Sequence, residues 1–519
     1  MQKIAVDTYN FPRMRKEGFV YVDKTAILHR LACGDFGKLF FLARPRRFGK
    51  SLAVSTLHAL FDGKRDLFKG LAIEPLWDWT KKWPVIHLDM GSTQADSVER
   101  FCANLQELLV REASQNGIDI AQGETVAITF TRLIDTLVKK SADGKVVLLI
   151  DEYDKPLLNH LCEEGVNKYR DALKQFYSVV KTYEAKLRFA FLTGVSKFSK
   201  VSIFSDLNNL IDKSMDFDTA TLFGYTHEEV KKYFPVALHD LAIAQGMTDE
   251  QAFDTIIRWY DGYKFEESAP LVINPVSLGY CFAKRKFTNY WSQTAVPTFL
   301  IDILKKHPLD FSRVNVSLDR LSFYEPANPD VTTLLFQTGY LTIKSAINEI
   351  DFQSFNLGFP NMEVEKSFLS VLAPAYSGRE INWTDSVPFN VREALFEHDI
   401  ERFVDILKAF FANIPYDMTD RQNEQMWQTI VYVILKAAGI GVRGEVKTNR
   451  GRIDMTAETP EYAYVIEFKL DRPAEEAIKQ IREMNYAEKF ISSGKKITLL
   501  GFTFSAEKRT IIDVKIEAL

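Results

Sequence analysis

The chain has 519 residues, of which 46% are hydrophobic and 26% are charged, and its formal net charge at pH 7 is −4. This length exceeds what one hydrophobic core supports, so we expect two to four domains of ordinary globular composition. The negative balance excludes a uniformly basic nucleic-acid coat, and any nucleic-acid contact must therefore use a local basic patch.

The cysteines and the apolar runs indicate where in the cell the protein is expected. Four cysteines, Cys33, Cys102, Cys162 and Cys281, lie far apart without a C-x-x-C pair, so neither a zinc site nor a disulfide framework is predicted. The amino terminus lacks a signal-peptide profile, and no apolar run has the length of a bilayer span. We expect a cytoplasmic protein without membrane association.

The stretch Phe40–Leu52, FFLARPRRFGKSL, predicts a buried strand, a basic loop and the start of an apolar-periodic helix. This is the layout of a phosphate-binding loop. Gly49 lets the backbone approach phosphate, and the helix start favours an anion. Lys50 can reach the β- and γ-phosphates, and the Ser51 hydroxyl is placed for Mg²⁺. Because position 44 is arginine rather than the first glycine of the full pattern, a basic helix-capping turn remains an alternative.

A second motif favours the nucleotide interpretation. The apolar run 145–150 predicts a buried strand that ends in Asp151 and Glu152. Asp151 is expected to hold Mg²⁺ through water, and Glu152 to orient or deprotonate the attacking water. The alternative is a core strand that ends in a solvated acidic turn. Together with GKS, about a hundred residues upstream, the motif predicts an ATP site.

Further buried strands, within Trp83–Asp89 and over Lys186–Gly194, predict a parallel α/β sheet with helices on both faces through residue 224. At the end of the last strand, Thr193 or Ser196 either senses the γ-phosphate or caps the strand. The residues expected to contact the nucleotide are Arg46, Arg47, Phe48, Gly49, Lys50, Ser51, Leu52, Asp151 and Thr193.

The middle of the chain is predicted to be mainly helical. We expect a P-loop ATPase core over 1–224 and a helical lid over 225–329, with helices at 226–244, 249–260, 274–285 and 294–306. A helix, a hairpin and a second helix over 330–374 predict a winged-helix-like module, which either binds DNA or packs internally as a signal relay. A helical linker over 375–415, with helix 391–412, and a nuclease-like domain over 416–519 complete this division.

The last hundred residues carry a second set of candidate catalytic side chains. Glu467 and Lys469 alternate on one predicted strand, so both side chains lie on the same face. Asp454 lies on the neighbouring hairpin strand. Two carboxylates can hold Mg²⁺ or Mn²⁺ for phosphodiester hydrolysis, while Lys469 stabilises developing charge or helps to activate water. Such alternation also occurs on half-exposed strands, but the apolar run around Glu467 makes an uncompensated carboxylate costly.

Helices at 420–438 and 474–490 flank these strands, and the strand 497–502 is expected to close the sheet. Several nearby cations are candidates for phosphate contacts. They are Arg443, Lys447, Arg450, Arg452, Arg472, Lys479 and Arg482.

The segments VDKT (22–25), RPRRFGKS, LLIDEYD, WYDGY, INPVS and LGFPN, in this order, resemble bacterial AAA-ATPase-like proteins with a carboxyl-terminal PD-(D/E)XK nuclease-superfamily domain. The resemblance covers nearly the whole chain, and arginine at position 44 is a trait of that family. It implies an ATP site with Lys50, Ser51, Asp151 and Glu152. It also implies a nuclease motif with Asp454, Glu467 and Lys469, to which Glu424 adds an upstream acid and metal ligand and Gln480 a later helical position.

These observations predict an ATPase coupled to a divalent-metal-dependent nuclease that acts on DNA or RNA, with ATP and Mg²⁺ as cofactors. One alternative is a nucleotide-operated switch or scaffold whose tail binds nucleic acid or a partner without cutting. A third is an ATPase with no nucleic-acid function. The oligomeric state, the arginine that completes the ATP site and the biological pathway are left open.

Overall fold

The computed structural model describes residues 2–6, 8–34, 37–93, 95–120, 123–161, 163, 165–198, 209–291, 298–306, 309–311, 314–322, 326–349, 352–377, 386–412, 424–447, 452–491 and 493–519. Cys162, Arg450 and the predicted helix starts at 294 and 420 lie outside these ranges. The chain divides into two compact units. The first comprises Met1–Tyr290, Val316–Phe355 and Phe359–Met362, and the second Trp291–Asn315, Asn356–Gly358 and Glu363–Leu519.

The first unit contains a five-stranded parallel sheet with the strand order β2-β3-β4-β1-β5. Every residue of the first and third strands is buried, because parallel strands are covered on both faces. The strands are β1 Leu39–Ala43, β2 Val85–Asp89, β3 Val146–Asp151, β4 Leu187–Gly194 and β5 Ile211–Asp212. The predicted P-loop-type α/β sheet is thereby confirmed, with β4 between the loop-bearing strand β1 and the acidic strand β3.

Seven helices accompany this sheet in the described part of the chain. Side chains of Asn10, Ser97 and Thr125 accept backbone hydrogen bonds at three helix starts, which satisfies N–H groups that have no partner within the helix. The helices are α1 Phe11–Glu17, α2 Thr25–Cys33, α3 Lys50–Phe61, α4 Val98–Gln115, α5 Val126–Lys140, α6 Lys155–Leu158 and α7 Val166–Thr182.

The region after the sheet is helical, as predicted. The prediction of a single helix over 226–244 is wrong, because two helices occupy this range. Pro235, which has no N–H to donate, ends one helix and begins the next. The apolar faces of the helices in this region pack into one buried cluster, which includes Leu241, Ile256 and Cys281. The helices are α8 His227–Tyr233, α9 Pro235–Gln245, α10 Asp249–Tyr260 and α11 Pro275–Lys284.

The following segment contains helices α12 Thr298–Lys306, α13 Leu318–Ser322, α14 Val331–Thr338 and α15 Met362–Ser377. Its strands, β6 Val314–Ser317, β7 Thr342–Glu349 and β8 Phe352–Gly358, form a sheet of order β6-β8-β7. The order helix, two neighbouring strands, helix matches the pattern predicted over 330–374. The function of this module and the five-part domain division stay predictions.

The carboxyl-terminal part of the second unit contains a mixed sheet of order β13-β12-β11-β10-β9, in which β11 and β12 are parallel and the other pairs antiparallel. This confirms the predicted second α/β fold. Its strands are β9 Gly441–Lys447, β10 Arg452–Glu458, β11 Tyr462–Leu470, β12 Lys496–Ser505 and β13 Thr510–Ala518. Its helices are α16 Ser386–Phe396, α17 Ile400–Phe411, α18 Glu424–Ala437, α19 Ala474–Glu483 and α20 Glu488–Ile491.

Three predictions in this part are wrong. The helix expected over 391–412 is two helices, separated where His398 has a left-handed backbone with φ of 58°. The helix expected over 474–490 ends at Glu483 and is followed by α20. The strand 497–502 does not close the sheet, because β13 pairs with its outer side. Among the described residues, no helix is both long enough and apolar enough to cross a membrane.

Helix α19 packs directly on the strand next to Glu467. Gly501 of β12 pairs with Glu467 of β11, so the two residues face the same side of the sheet. A Cβ at Gly501 would lie 2.6 Å from the Ala474 carbonyl oxygen and 3.0 Å from the Ala477 Cβ. The missing side chain therefore sets the close approach of the helix that carries Gln480.

We predict that Gly501→Ala lowers the free energy of unfolding by roughly 1–3 kcal/mol, because backbone atoms of α19 must move to admit the methyl group. Gly165→Ala is the matched control, since a Cβ there meets no atom within 4 Å. Thermal or urea unfolding of both variants measures the difference. Equal stability of the two variants would contradict the packing argument.

Candidate functional sites

The loop between β1 and α3 has the backbone of a phosphate-binding loop. Gly49 is the N-cap of α3 and has a left-handed conformation with φ of 96°, where a Cβ would be strained. A glycine offers no side chain to cap the helix, so the N–H groups of the first turn remain suited to an anion. Ser51, in that first turn, is close enough to the carboxylate of Asp151 to lower its pKa.

Lys50 is buried and lies against its own loop. Its Nζ donates to the carbonyl oxygens of Arg44 and Pro45, at 2.9 Å each. Burial lowers the pKa of the Lys50 ammonium, and the nearby carboxylates of Asp151 and Asp154 act in the opposite direction. The Lys50 ammonium can exchange these carbonyl contacts for a more strongly charged partner, such as a triphosphate.

Arg44 shows how arginine is accommodated at the first glycine position. Its guanidinium is buried and donates to the carbonyl oxygens of Ala43, Ser214 and Thr219, at 2.8, 2.6 and 3.3 Å. It also lies 4.2 Å from the ring centroid of Phe265. Burial lowers the pKa of Arg44 to about 9. The Arg44 side chain is therefore bound inside the protein by these segments. Gly49 keeps its left-handed conformation although position 44 is arginine rather than glycine.

The other loop residues divide between the protein interior and the surface. Phe48 is buried, with its ring centroid 4.8 Å from that of Tyr263. Arg47 donates to the Tyr290 carbonyl oxygen at 2.9 Å and has a left-handed backbone with φ of 69°. Arg46 is partly exposed and close enough to Lys50 to lower its pKa. Leu52 lines the cavity beside the loop.

Three carboxylates meet at the carboxyl ends of β2 and β3, where Asp89 and Asp151 are register partners. A Cβ at Gly91 would lie 2.7 Å from Glu152 Oε2 and 2.9 Å from Asp89 Oδ1, so these two carboxylates flank the same glycine. Burial raises the pKa of Asp151 to about 6, and the negative charges of Asp89 and Glu152 add to this effect. These acids concentrate negative charge at this edge of the sheet.

The segment after β4 is fixed to the acidic motif by Tyr153 and Asp154, to which sequence reasoning gave no role. The buried Asp154 carboxylate accepts hydrogen bonds from the N–H of Val195 at 3.0 Å and from the N–H and hydroxyl of Ser196 at 2.6 and 2.8 Å. The Tyr153 hydroxyl donates to the Ser196 carbonyl oxygen at 2.9 Å. Thr193 donates its hydroxyl to the Leu42 carbonyl oxygen at 2.8 Å, within the sheet.

A cavity adjoins the phosphate-binding loop. Its walls include Phe48, Gly49 and Leu52 of the loop and helix, together with Tyr21 and Lys24 of the amino-terminal segment. Lys24 is itself paired with Glu229, at 2.6 Å. The mostly apolar walls next to an anion-binding helix start suit a flat base joined to phosphate groups.

The second site lies on β10 and β11, where Asp454, Glu467 and Lys469 come together. Glu467 is 1% exposed, and Lys469 Nζ lies 3.2 Å from its Oε1. The Asp454 N–H donates to Glu467 Oε2 at 3.4 Å, and Asp454 Oδ2 accepts from the Phe468 N–H at 2.9 Å. The predicted convergence of these three residues is therefore present in the structure.

Two further predicted residues border this site. Gln480 of α19 donates to Glu467 Oε1. Glu424, at the start of α18, accepts from the Leu470 N–H at 3.2 Å and lies 4.0 Å from Arg472. Its described contacts are thus to the end of β11 rather than to the other two carboxylates.

Glu467 is electrostatically unfavourable as a carboxylate without a cation. Burial raises its pKa to about 8, and the negative charge of Asp454 adds to this effect, while Lys469 opposes it. Two converging carboxylates whose repulsion raises a pKa are a donor set that fits a divalent cation. Within the described ranges, however, no group of three or more His, Cys, Asp and Glu side chains is arranged to hold a metal ion.

We predict that Glu467→Gln, in the absence of divalent ions, stabilises the protein at pH 9 relative to wild type. A carboxyl whose pKa rises from 4.5 to about 8 on folding binds its proton more tightly when folded. Wild-type stability therefore falls as the pH rises from about 4.5 to 8, and glutamine removes this loss, which is on the order of 5 kcal/mol.

Urea unfolding in EDTA at pH 5, 7 and 9 measures this effect. The difference between the Gln variant and wild type should grow with pH. A difference independent of pH would show that the Glu467 proton is not coupled to folding.

Comparison with known proteins agrees with the two predicted domain families. A family model described as "Predicted AAA-ATPase" matches residues 5–204, and one described as "PD-(D/E)XK nuclease superfamily" matches residues 422–514. A protein of Azotobacter chroococcum mcd 1, described as "Uncharacterized protein in vnfD 5'region", is 36% identical over 533 residues. This alignment covers 100% of the chain and 99% of that relative. The chain therefore belongs to the AAA-ATPase-like proteins that carry a PD-(D/E)XK nuclease-superfamily domain in their carboxyl-terminal part.

Proposed function

We propose that the protein binds and hydrolyses ATP and uses this reaction to control a divalent-metal-dependent phosphodiesterase that acts on DNA or RNA. The observation that carries the proposal is the burial of Glu467 beside Asp454, with Lys469 and Gln480 in contact with it. A sheet core tolerates such a cluster only where charges compensate one another, which is the condition that a metal-assisted catalytic site requires.

In the ATP site, the loop and the carboxylates would have different roles. The N–H groups after Gly49 and the Lys50 ammonium would bind the β- and γ-phosphates, and Ser51 and Asp151 would hold Mg²⁺. Glu152 would orient the attacking water. Its left-handed backbone, with φ of 51°, is strained for a residue with a side chain and directs the carboxylate towards Gly91 and Asp89.

In the second site, Asp454 and Glu467 would hold Mg²⁺ or Mn²⁺. A divalent cation there supplies polarisation of a phosphodiester oxygen and a lower pKa for bound water. Lys469 would donate to the oxygen on which negative charge develops. Gln480, bound to Glu467, would keep that carboxylate oriented towards Asp454. These residues lie on two strands and one helix, so their positions depend on secondary structure rather than on loops.

A switch or scaffold that does not cut is the second candidate function. It is favoured by the high pKa of Glu467, which leaves this carboxyl largely protonated at neutral pH until a cation binds. In such a protein the ATP site would still change state, and the tail would bind nucleic acid or a partner. Cleavage assays distinguish the two functions directly.

We expect Glu467→Gln to abolish metal-dependent cleavage, with at least a hundredfold loss of rate, because glutamine cannot supply the second negative ligand. Plasmid, single-stranded DNA and RNA, each with Mg²⁺ or Mn²⁺ and with or without ATP, serve as substrates. ATP affinity of the variant should equal that of wild type. Undiminished cleavage by the variant would rule out the assigned site, and no cleavage by wild type under any condition would favour the switch.

Lys50→Ala should weaken ATP binding at least tenfold, since the variant lacks the ammonium that reaches the phosphates. Equilibrium titration with a fluorescent ATP analogue measures the affinity. Lys64→Ala is a matched control, because Lys64 is a half-exposed lysine paired with Asp62 on the surface. If both variants bind the analogue like wild type, the nucleotide does not occupy this loop.

A further inference from the structure

The outer edge of the carboxyl-terminal sheet is formed by β13, and no described strand pairs with that edge. One extra residue, Ile512, interrupts the register, because Thr503 pairs with Asp513 and Phe504 with Ile511. Beyond this bulge the pairing of Asp513–Ala518 with β12 is regular. An edge strand of this kind presents unpaired N–H and C=O groups to any strand that can align with it.

The direction of the free backbone groups follows from one hydrogen bond. The Leu519 N–H donates to the Ile497 carbonyl oxygen at 3.0 Å, in register with the pairing of Thr498 and Ala518. Hydrogen-bonded and non-hydrogen-bonded pairs alternate in an antiparallel ladder. Lys515 and Glu517 therefore exchange hydrogen bonds with β12, whereas Val514 and Ile516 direct their N–H and C=O groups away from it.

The side chains of this segment are arranged symmetrically about Ile516. The Ile516 side chain is 43% exposed, although it is apolar and lies in the middle of the regular segment. It is flanked by one positive and one negative residue, Lys515 and Glu517. Next to these are two small apolar residues, Val514 and Ala518.

We propose that β13 is a self-association surface, on which a second copy of the chain pairs antiparallel about a two-fold axis at Ile516. Ile516 then lies opposite the partner's Ile516, and Val514 opposite the partner's Ala518. Lys515 lies opposite the partner's Glu517, and Glu517 opposite the partner's Lys515. These charged pairs occupy the non-hydrogen-bonded positions, where side chains approach most closely.

The contacts that Lys515 and Glu517 make within one chain still allow each of them to pair with a second copy. Lys515 lies 3.6 Å from Glu475, but the two side chains are 53% and 62% exposed, so the pair is weak. Glu517 is paired with Arg482 of α19 and keeps its second oxygen for another donor. Because the interface consists of one short strand per copy, we expect a dissociation constant on the order of micromolar.

A cysteine scan tests both the association and its register. Ile516→Cys should form a disulfide-linked dimer under mild oxidation, since paired Cα atoms about 5.5 Å apart are within disulfide range. Val514→Cys is the matched control. In the proposed register the two copies of position 514 are four residues apart, or about 14 Å, which is too far for a disulfide. Wild type reports the background from the native cysteines.

Charge reversal provides a second readout by sedimentation velocity of the full chain between about 1 and 100 µM. K515E or E517K alone places like charges opposite each other and should weaken the dimer at least fivefold. The double variant K515E/E517K restores opposite charges and should recover most of the affinity. Circular dichroism and thermal unfolding confirm that each variant is folded.

A wild-type chain that stays monomeric to 100 µM, without linkage at position 516, would overturn the proposal. Linkage at position 514 as strong as at 516 would overturn the register. A dimer insensitive to both single charge reversals would place the interface on another surface. The outcome is independent of nucleotide binding and of cleavage.

Discussion

A charged side chain stays in a protein interior only where hydrogen bonds or opposite charges replace the water that it has lost. Both candidate sites depend on this constraint. In the first, the buried Lys50 ammonium is held by two carbonyl oxygens and by the charge of Asp151. In the second, the buried Glu467 carboxylate is held by Lys469 and Gln480. The ammonium is compensated within its own unit, whereas the carboxylate is fully compensated only when a cation binds.

The contacts of Asp154 extend the first site into the rest of its unit. Asp154 and Tyr153 hold Val195 and Ser196, and the next residue, Lys197, donates its N–H to Gln337 of α14 at 2.7 Å. The acidic motif is thus joined by consecutive hydrogen bonds to the helix that precedes β7 and β8. In the proposed function, a change at the phosphates would reach α14 through these contacts.

Local patterns made much of this architecture predictable from the sequence. An apolar run before GKS, another before Asp151 and a third around Glu467 predicted the central strands, because only a covered strand tolerates such runs. The sequence did not predict that the Arg44 side chain is buried beside Ser214 and Phe265, because that direction depends on residues far along the chain. Asp154 was visible in the motif, but its partners at 195 and 196 become neighbours only in the folded sheet.

The missed strand β13 has a different cause. Its alternating charged residues and its exposed isoleucines are unlike the continuous apolar runs of the central strands, so its pairing with β12 was not recognised. The break between α16 and α17 at His398 lacks the proline or glycine that would have indicated it, so the two helices appeared as one.

Glu152 has a left-handed backbone at the position proposed to orient water. Selection for folding alone would favour glycine there, because glycine adopts this conformation without a clash. Replacement of Glu152 by glycine would therefore leave the fold intact or make it slightly more stable. In the proposed function, such a chain would still bind nucleotide but would no longer orient the attacking water.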